Sequence, residues 1–547
     1  MLRSLRICGA VALCAWTVLV AAAAGSESAS KYVIRSDHWS EDDELGYRKF
    51  IQAIGESDCN TLDSCLHSSA NPFYGTDPPD RHFEADCSDL TYVLRFYYAW
   101  KRGLPFAYVS GVAPRDGSGD DIRYSHAGNK VTARTDVTSG NLGGSRIIDN
   151  IRDAVSSATY RIHPDADGPL RSDFYSPAIT PQAIQPGTIV YDPAGHVATV
   201  FRVDPDGRVH SFDAHTDYTL TQLVFDVRFA RVRPSQGAGF KNWRPVRLVG
   251  ATRMPDGTLK GGRIEVAGNA EIPDFSDEQY FGTGKRPADE EWASGSFSLN
   301  GETLDYYDFV RGRLAGGKLI FDPLKEVAYM TRSICSDLQY RTLAVRIAVA
   351  AGMAQKQQPN RLPRNIYGTS GDWETYSTPS RDARLKTLFK ALRDTVQRFV
   401  EMEQRKDTKH LAYFGTDIAG DMLKVYDRVT QSCRIEYRRS DGNPVTLSYE
   451  DARERLFAMS FDPTHCPELR WGASDAAELF TCPDGALKRS WYAAEQNLRN
   501  QIDRTYDARM DFTLEELGTP GPGKGVPSPP DTDVRAYLER AGAQARN

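Results

Sequence analysis

The sequence has no excess of positive charge. Its 67 lysines and arginines are outnumbered by 73 aspartates and glutamates, which gives a formal net charge of −6. Because nucleic-acid binding depends largely on basic patches that contact phosphates, this balance argues against a nucleic-acid binder. A hydrophobic content of 40% is ordinary for a globular protein and argues against wholesale disorder. A chain of 547 residues exceeds what one hydrophobic core usually serves, so we expect two or more domains.

The sequence also lacks the motifs of several common enzyme classes. It contains no His-Glu-x-x-His motif, no glycine-rich nucleotide-binding loop and no Gly-x-Ser-x-Gly elbow. Two short segments at 165–168 and 440–443 resemble the start of a calcium loop, but neither has the later glutamate, so we interpret them as turns. The sequence therefore predicts no metal site and no cofactor.

Long apolar segments are absent after the first 24 residues, and those residues predict a secretory signal peptide. Arg3 and Arg6 provide a basic start, an apolar run covers residues 7–20, and small residues follow up to Ala24. A retained membrane anchor is the alternative, although the run is short for a span. The pattern predicts a periplasmic or secreted protein that has no stable membrane span after signal cleavage.

Export makes the cysteine count informative. Loss of Cys8 and Cys14 with the signal leaves seven cysteines, an odd number, in an oxidising environment where cysteines tend to pair. Connectivity cannot be deduced from sequence alone, so the pairing is a hypothesis. The proposed disulfides join Cys59 to Cys65, Cys466 to Cys482, and Cys335 to Cys433.

Cys87 is the cysteine that this pairing leaves over, and its context suits a nucleophile. It begins a helical period over 87–102 that Gly103 ends. The unpaired N–H groups at a helix N-terminus stabilise a thiolate, the form of cysteine that attacks carbonyls. A small buried residue at a helix start is the alternative. The same tetrapeptide, Cys-Ser-Asp-Leu, recurs at Cys335 inside a continuous helical pattern, so we interpret Cys335 as structural.

His196 is the candidate base for this thiol. It follows Gly195 at the start of an apolar strand, whereas several of the other histidines lie in polar loops. A lone histidine on a strand is more often a surface residue, but the Gly-His-Val context favours a catalytic role. In a thiol–imidazole pair the imidazole takes the thiol proton and later donates it to the leaving amine.

A third polar group should orient the imidazole, and the next strand offers two. With a tight turn at 204–207, His210 would lie about 20 Å from His196, at ~3.3 Å per residue. Asp213 and His215 are nearer, but strict alternation places both on the opposite face from His196, so a bulge or bend is needed. We favour Asp213, since a buried carboxylate is a good imidazole partner, and His215 is the alternative.

Four short segments belong together by their order along the chain: Pro-Phe-Tyr-Gly-Thr at 72–76, Asp-Cys-Ser at 86–88, Gly-Thr-Ile-Val at 187–190 and Gly-His-Val-Ala at 195–198. Their order resembles that of the NlpC-like cell-wall cysteine peptidases. They resemble the family's tyrosine-glycine element, its Asp-Cys-Ser-Gly helix start, its Gly-Asp-Leu-Val strand and its Gly-His-Val-Gly-Ile strand. The chain departs from this pattern at Asp89, which stands in place of a glycine, and in the long interval between Cys87 and His196, which implies an insertion within 104–186.

The resemblance implies a papain-like α+β domain in which a helix bearing the cysteine packs on an antiparallel sheet. It implies Cys87 as nucleophile, His196 as base, a third member within 209–215, and a supporting hydroxyl from Tyr74. Members of the family cleave peptidoglycan stem peptides, often beside a D-glutamyl residue. We therefore expect an exported cysteine peptidase or amidase that acts on peptidoglycan or cell-wall peptides. The alternatives are a catalytically inactive envelope binding protein on the same fold and a thiol acyltransferase or transpeptidase.

Near residue 320 the sequence pattern changes, and long stretches with helical periodicity follow. We expect this helical half to bind substrate or a partner protein, and we expect the insertion at 104–186 to be irregular apart from one helix. The predicted organisation is a signal peptide at 1–24, an NlpC-type domain at 31–250, a β- and loop-rich connecting region at 251–320, a mainly helical domain at 321–516, and a Pro/Gly-rich tail with a short helix at 517–547.

Overall fold

The computed structural model describes residues 31–78, 80–140, 142–364, 371–502, 510–519 and 521–545, so the predicted signal peptide lies outside the described residues. The chain divides into two compact units. Unit 1 comprises the described residues up to Phe225 together with Arg231–Gly317, and unit 2 comprises Asp226–Ala230 and the chain from Lys318 onward. Within the described ranges, no helix is both long enough and apolar enough to cross a membrane.

Unit 1 combines helices with antiparallel strands and is of the α+β class. Its helices are α1 (Glu41–Glu56), α2 (Leu62–Leu66), α3 (Leu90–Arg102), α4 (Gly144–Ala154), α5 (Glu278–Phe281) and α6 (Tyr306–Leu314). Its strands are β1 (Phe106–Pro114), β2 (Asn129–Val137), β3 (Phe174–Tyr175), β4 (Ile189–Asp192), β5 (His196–Val203), β6 (Val209–Ala214), β7 (Leu220–Val224), β8 (Gly239–Trp243), β9 (Val246–Val249), β10 (Thr252–Arg253), β11 (Leu259–Lys260), β12 (Arg263–Val266), β13 (Phe297–Leu299) and β14 (Glu302–Leu304).

A six-stranded antiparallel sheet organises unit 1, with the strand order β3-β8-β4-β5-β6-β7. β5 and β6 are joined by the tight turn that the sequence predicts. In this turn Asp204 N–H donates to the Arg208 carbonyl at 2.8 Å, and Gly207 has a φ of 81°, which favours glycine. The hairpin therefore brings these two neighbouring strands of the sheet together in a defined register.

β5 contains one residue more than β6 can pair. Val200 pairs with Ser211 and Arg202 pairs with His210, so Phe201 is the extra residue of a β-bulge. α1 packs over this point, because a methyl group added at Gly55 would lie 2.2 Å from the Phe201 ring. The close approach requires glycine in the helix and holds the bulge residue in the core.

α3 directly follows the turn that contains the candidate nucleophile, and it packs on the sheet. The helix ends where the sequence predicts, since Gly103 follows it with a left-handed φ of 69°. The Thr91 and Thr199 hydroxyls, both buried, hydrogen-bond at 2.9 Å. This contact links the first turn of α3 to the middle of β5.

The segment 104–186 is more regular than predicted. β1 and β2 form an antiparallel hairpin that begins with Phe106 opposite Val137 and ends with Pro114 opposite Asn129. β2 is largely exposed and polar, so its sequence lacks the apolar alternation that predicts a strand. Residues 251–317 belong to unit 1, in which β12 pairs with β9.

Unit 2 is mainly helical and contains one hairpin, β15–β16, among its described residues. Its helices are α7 (Pro323–Ala350), α8 (Gly371–Tyr376), α9 (Pro379–Gln404), α10 (Ile418–Ser432), α11 (Tyr449–Arg455), α12 (Pro467–Arg470), α13 (Ala476–Leu479), α14 (Ala486–Ala494), α15 (Gln496–Asn500), α16 (Leu514–Gly518) and α17 (Val534–Ala545), and its strands are β15 (Arg434–Arg438) and β16 (Pro444–Ser448). The helical domain that the sequence predicts at 321–516 includes α14 and α15, and residues 503–509 lie outside the described residues.

The disulfides in the structure join the same cysteines that the sequence suggests. Cys59 is bonded to Cys65 in unit 1, whereas the Cys335–Cys433 and Cys466–Cys482 bonds lie in unit 2. Cys87 is the free thiol among the described cysteines. Cys335 is thus a structural residue within α7, although its local sequence repeats that of Cys87.

Removal of the Cys335–Cys433 bond should destabilise unit 2 more than removal of the Cys466–Cys482 bond. The first closes 98 residues and the second 16. Chain entropy then predicts losses of about 4.7 and about 3 kcal/mol, respectively. Urea unfolding of the two paired Cys→Ala variants would measure both, and a larger loss for the shorter loop would contradict the prediction.

Candidate active site

Cys87 lies in the turn that leads into α3, three residues before the helix begins at Leu90. The carboxylate of Asp86 accepts hydrogen bonds from the N–H groups of Ser88 at 2.7 Å and Asp89 at 3.2 Å. Asp86 therefore caps this turn and occupies two of the N–H groups that the sequence analysis expected to stabilise a thiolate.

The Cys87 sulfur contacts the backbone of Gly195, the residue before His196. The thiol donates to the Gly195 carbonyl oxygen, with an S···O distance of 3.6 Å. The thiol is partly buried. The turn before α3 and the start of β5 are therefore neighbours, and the thiol lies beside the backbone next to His196.

His196 and Asp213 are in direct contact on neighbouring strands. His196 Nε2 hydrogen-bonds to Asp213 Oδ2, and both side chains are buried. The contact depends on the bulge at Phe201. Between the bulge and His196 the strand register is shifted by one residue, so that Thr199 lies opposite Phe212. This one-residue shift turns the His196 side chain to the face of the sheet that carries Asp213.

His215 supports Asp213 through a threonine. The Thr221 hydroxyl donates to Asp213 Oδ1 at 2.5 Å and lies 2.9 Å from His215 Nε2. His215 Nε2 is itself 3.7 Å from Asp213 Oδ1. Of the two candidates for the third position, Asp213 therefore contacts the His196 ring, and His215 contributes to the environment of Asp213.

Thr221 was not among the candidate residues of the sequence analysis. It lies on β7 directly opposite Asp213. Extension of the β5–β6 hairpin by a third antiparallel strand would have predicted this neighbour, but 220–224 carries only a short and weak strand pattern. His210, by contrast, is bonded to Asp204 at 2.7 Å, away from the site.

The surroundings of Asp213 keep its carboxylate ionised. Burial alone would raise its pKa, but the His215 and His196 charges, with hydrogen bonds from His196 and Thr221, hold the pKa well below its usual range. An ionised Asp213 can orient the imidazole and stabilise the imidazolium that forms when the thiol proton is taken up.

The thiol itself is surrounded by carboxylates, so it is protonated in the resting site. Burial first, and then the negative charges of Asp86 and Asp213, raise the pKa of the Cys87 thiol well above its usual value. The expected thiolate is therefore not the resting form, because Asp86 binds the helix N–H groups and adds a charge of the same sign. Nucleophilic attack from this site requires proton transfer to a base.

Asp89 stands where the resembled motif has glycine, and it is buried in the same turn. Burial and the Asp86 charge raise the pKa of Asp89 to about 8, although Arg152 Nε lies 3.5 Å from its carboxylate. Among the described residues, Asp89 Oδ1 has no hydrogen-bond partner. Asp89 is therefore mostly neutral at pH 7 and adds its negative charge at higher pH.

The structure does not bring Tyr74 to the thiol. Its side chain is 62% exposed, and no contact with Cys87 is found in the described part of the chain. Two other hydroxyls lie near Gly195, since a methyl group added there would lie 3.4 Å from the Tyr124 hydroxyl and 3.7 Å from the Ser157 hydroxyl. Sequence analysis missed Tyr124, which lies in a stretch of 104–186 without any periodic pattern.

The chain matches no protein-family model, no curated protein and no solved structure. The chemistry of the site is therefore interpreted from its own geometry. A free thiol, a strand histidine beside it and a carboxylate bonded to that histidine are the parts of a thiol–imidazole–carboxylate site. The relation to NlpC-like peptidases stays a prediction.

Alkylation of Cys87 by iodoacetamide should show a midpoint above the usual cysteine pKa of about 8.5. Asp89→Asn should move the midpoint to lower pH, because the Asp89 carboxylate is charged above about pH 8 and then opposes the thiolate. Mass spectrometry of the alkylated peptide as a function of pH would measure both.

Glu84→Gln is the matched control for this titration. Glu84 is an exposed carboxylate bound to the same Arg152, at 3.3 Å, so its neutralisation should leave the midpoint unchanged. A wild-type midpoint below neutral pH, or equal shifts in the two variants, would contradict the role assigned to Asp89.

Proposed function

We propose that the chain is an exported cysteine peptidase or amidase with a papain-like, NlpC-type site that cleaves amide bonds in peptidoglycan stem peptides. The observation that carries this proposal is the contact of His196 with Asp213 beside the free thiol of Cys87. The order of these residues along the chain and the packing of α3 on an antiparallel sheet support a relation to that family. The disulfides support an oxidising compartment.

The first chemical step is attack of the sulfur on an amide carbonyl. His196 takes the Cys87 proton, and because Nε2 is bonded to Asp213, it receives the proton at Nδ1. The sulfur–carbon bond forms and the carbonyl oxygen becomes an oxyanion. The Cys87 N–H, which has no hydrogen-bond partner among the described residues, and the Tyr124 hydroxyl are the candidate donors to it.

The second step releases the two halves of the substrate. The carbon–nitrogen bond breaks, and His196 gives its proton to the leaving amine. Water then attacks the thioester with His196 as base, which releases the carboxylic acid and restores the Cys87 thiol. With an amine in place of water the same intermediate gives acyl transfer, so transferase activity differs from hydrolysis only in the acceptor.

A non-catalytic envelope binding protein is the second candidate. The buried Asp89 carboxyl and the high pKa of the Cys87 thiol favour it, because both disfavour a thiolate. In that case the His196–Asp213 contact would be structural. The two candidates differ in whether Cys87 is needed for any change in the cell-wall polymer.

Cys87→Ala should reduce the release of soluble peptide fragments from purified peptidoglycan by about 10³-fold or more, since the nucleophile is lost. Mass spectrometry of the supernatant would measure the fragments and identify new amine and carboxyl ends. Equal release by wild type and variant would contradict the peptidase. Equal binding to the polymer without release would support the binding protein, and adducts with an added amine would indicate a transferase.

Asp213→Asn should lower the same activity by about 10²–10⁴-fold, because the amide cannot stabilise the His196 imidazolium. His215→Ala should cause a smaller loss, since it acts through Thr221. His210→Ala is the control on the same strand and should leave activity unchanged. Loss of activity in His210→Ala alone would contradict the strand register.

A further inference from the structure

A buried polar cluster lies within unit 2, remote in sequence from the thiol site. Asp462 and His465 belong to the segment between α11 and α12, and Glu495 lies between α14 and α15. All three side chains are fully buried. One carboxylate oxygen of each acid and one ring nitrogen of the histidine lie within 4.8 Å of one another.

Glu495 is the unusual member of this cluster, because neither carboxylate oxygen accepts a hydrogen bond from the described residues. Arg499 Nη1 is 3.8 Å from Glu495 Oε2, but it donates instead to the Tyr492 carbonyl oxygen at 2.6 Å. Arg499 Nη2 donates to Gln496 Oε1 at 2.6 Å. A buried carboxylate without hydrogen bonds is costly, so Glu495 calls for a compensating group.

Asp462 adds a second negative charge and is positioned by hydrogen bonds to both of its oxygens. Asp462 Oδ1 accepts hydrogen bonds from the Thr464 N–H at 2.7 Å and the Thr464 hydroxyl at 2.8 Å. Asp462 Oδ2 accepts one from Gln358 Nε2 at 2.5 Å. Two carboxylates so close together in a buried site repel each other unless a cation or a proton lies between them.

His465 is oriented as metal-binding histidines usually are. Its Nε2 lies 3.1 Å from the Lys488 carbonyl oxygen and donates to it, which leaves Nδ1 as the nitrogen with a lone pair. Nδ1 accepts a hydrogen bond from the Ser460 hydroxyl at 2.7 Å. A metal ion could take the place of that hydroxyl proton without a change of tautomer.

We propose that Asp462, His465 and Glu495 bind one divalent metal ion of the zinc class as a structural site of unit 2. One imidazole nitrogen with two carboxylates is a mixed donor set that suits Zn²⁺, with Mn²⁺ as the nearest competitor. Metal–ligand distances of about 2.0–2.2 Å require the donor atoms of the three side chains to move closer together by about an ångström. The site involves neither Cys87 nor His196, so it is independent of the proposed peptidase activity.

The adjacent cluster of Cys466, Glu468 and Cys482 does not compete for this role. Its sulfurs are joined in a disulfide and offer no thiolate ligands. Glu468 is fully buried, but its oxygens accept hydrogen bonds from the Ser440 N–H and hydroxyl and from the Thr481 hydroxyl. Glu468 is therefore satisfied without a cation and provides a matched control for Glu495.

The first test measures metal binding by the full exported chain, purified without a tag. The protein is stripped with a chelator, incubated separately with Zn²⁺, Mn²⁺ or Ca²⁺, desalted and analysed by mass spectrometry for metal. We expect about one Zn²⁺ per chain, less Mn²⁺ and no Ca²⁺, with a rise in the unfolding temperature of unit 2 on zinc binding. Retention of none of the three ions, or no change in the unfolding temperature, would overturn the proposal.

The second test compares Glu495→Gln with Glu468→Gln. Glu495→Gln should weaken zinc binding by at least about tenfold and abolish the zinc-dependent rise in unfolding temperature. In chelator it should unfold at or above the wild-type temperature, since an uncompensated buried charge is removed. Glu468→Gln should keep zinc binding. Wild-type zinc affinity in Glu495→Gln would overturn the site, and if that variant does not fold, the wild-type metal content and zinc-dependent shift decide.

Discussion

The single extra residue in β5 is the constraint on which the candidate active site depends. Without the bulge at Phe201, side chains alternate so that Asp213 lies on the opposite face of the sheet from His196. The bulge is kept in place by α1, where only glycine at position 55 leaves room for the Phe201 ring. A close contact between a helix and the sheet thus determines which carboxylate the histidine meets.

Carboxylates in this site have different roles because their environments differ. Asp213 is surrounded by two histidines and a threonine hydroxyl, so its ionised form is favoured despite burial. Asp89 is also buried, but Asp86 lies beside it and a single arginine only partly compensates, so its neutral form persists to a higher pH. One carboxyl group can therefore stabilise an imidazolium, while the other adds a negative charge beside the thiol only above about pH 8, where it opposes the thiolate.

The buried charges of unit 2 also differ in their environments, because some have hydrogen-bonded partners of opposite charge and others do not. Arg228 is paired with Asp226 and Asp337 at hydrogen-bond distance, and these contacts attach residues 226–230 to α7. Glu495 has no comparable partner and faces a second carboxylate. Burial of a charge is tolerated where hydrogen bonds replace water, and where they do not, a proton or a metal ion has to supply the compensation.

The sequence by itself predicted the features that depend on local pattern. The apolar strand after Gly195, the turn at 204–207 and the odd number of cysteines led to His196, the hairpin and a free Cys87. The need for a bulge followed from strand parity alone. Only the tertiary structure decided that Asp213, rather than His215, contacts the imidazole, and that Tyr124 and Thr221 approach the site. These contacts join residues on different elements, so they depend on strand register and helix packing, which periodicity along one segment does not encode.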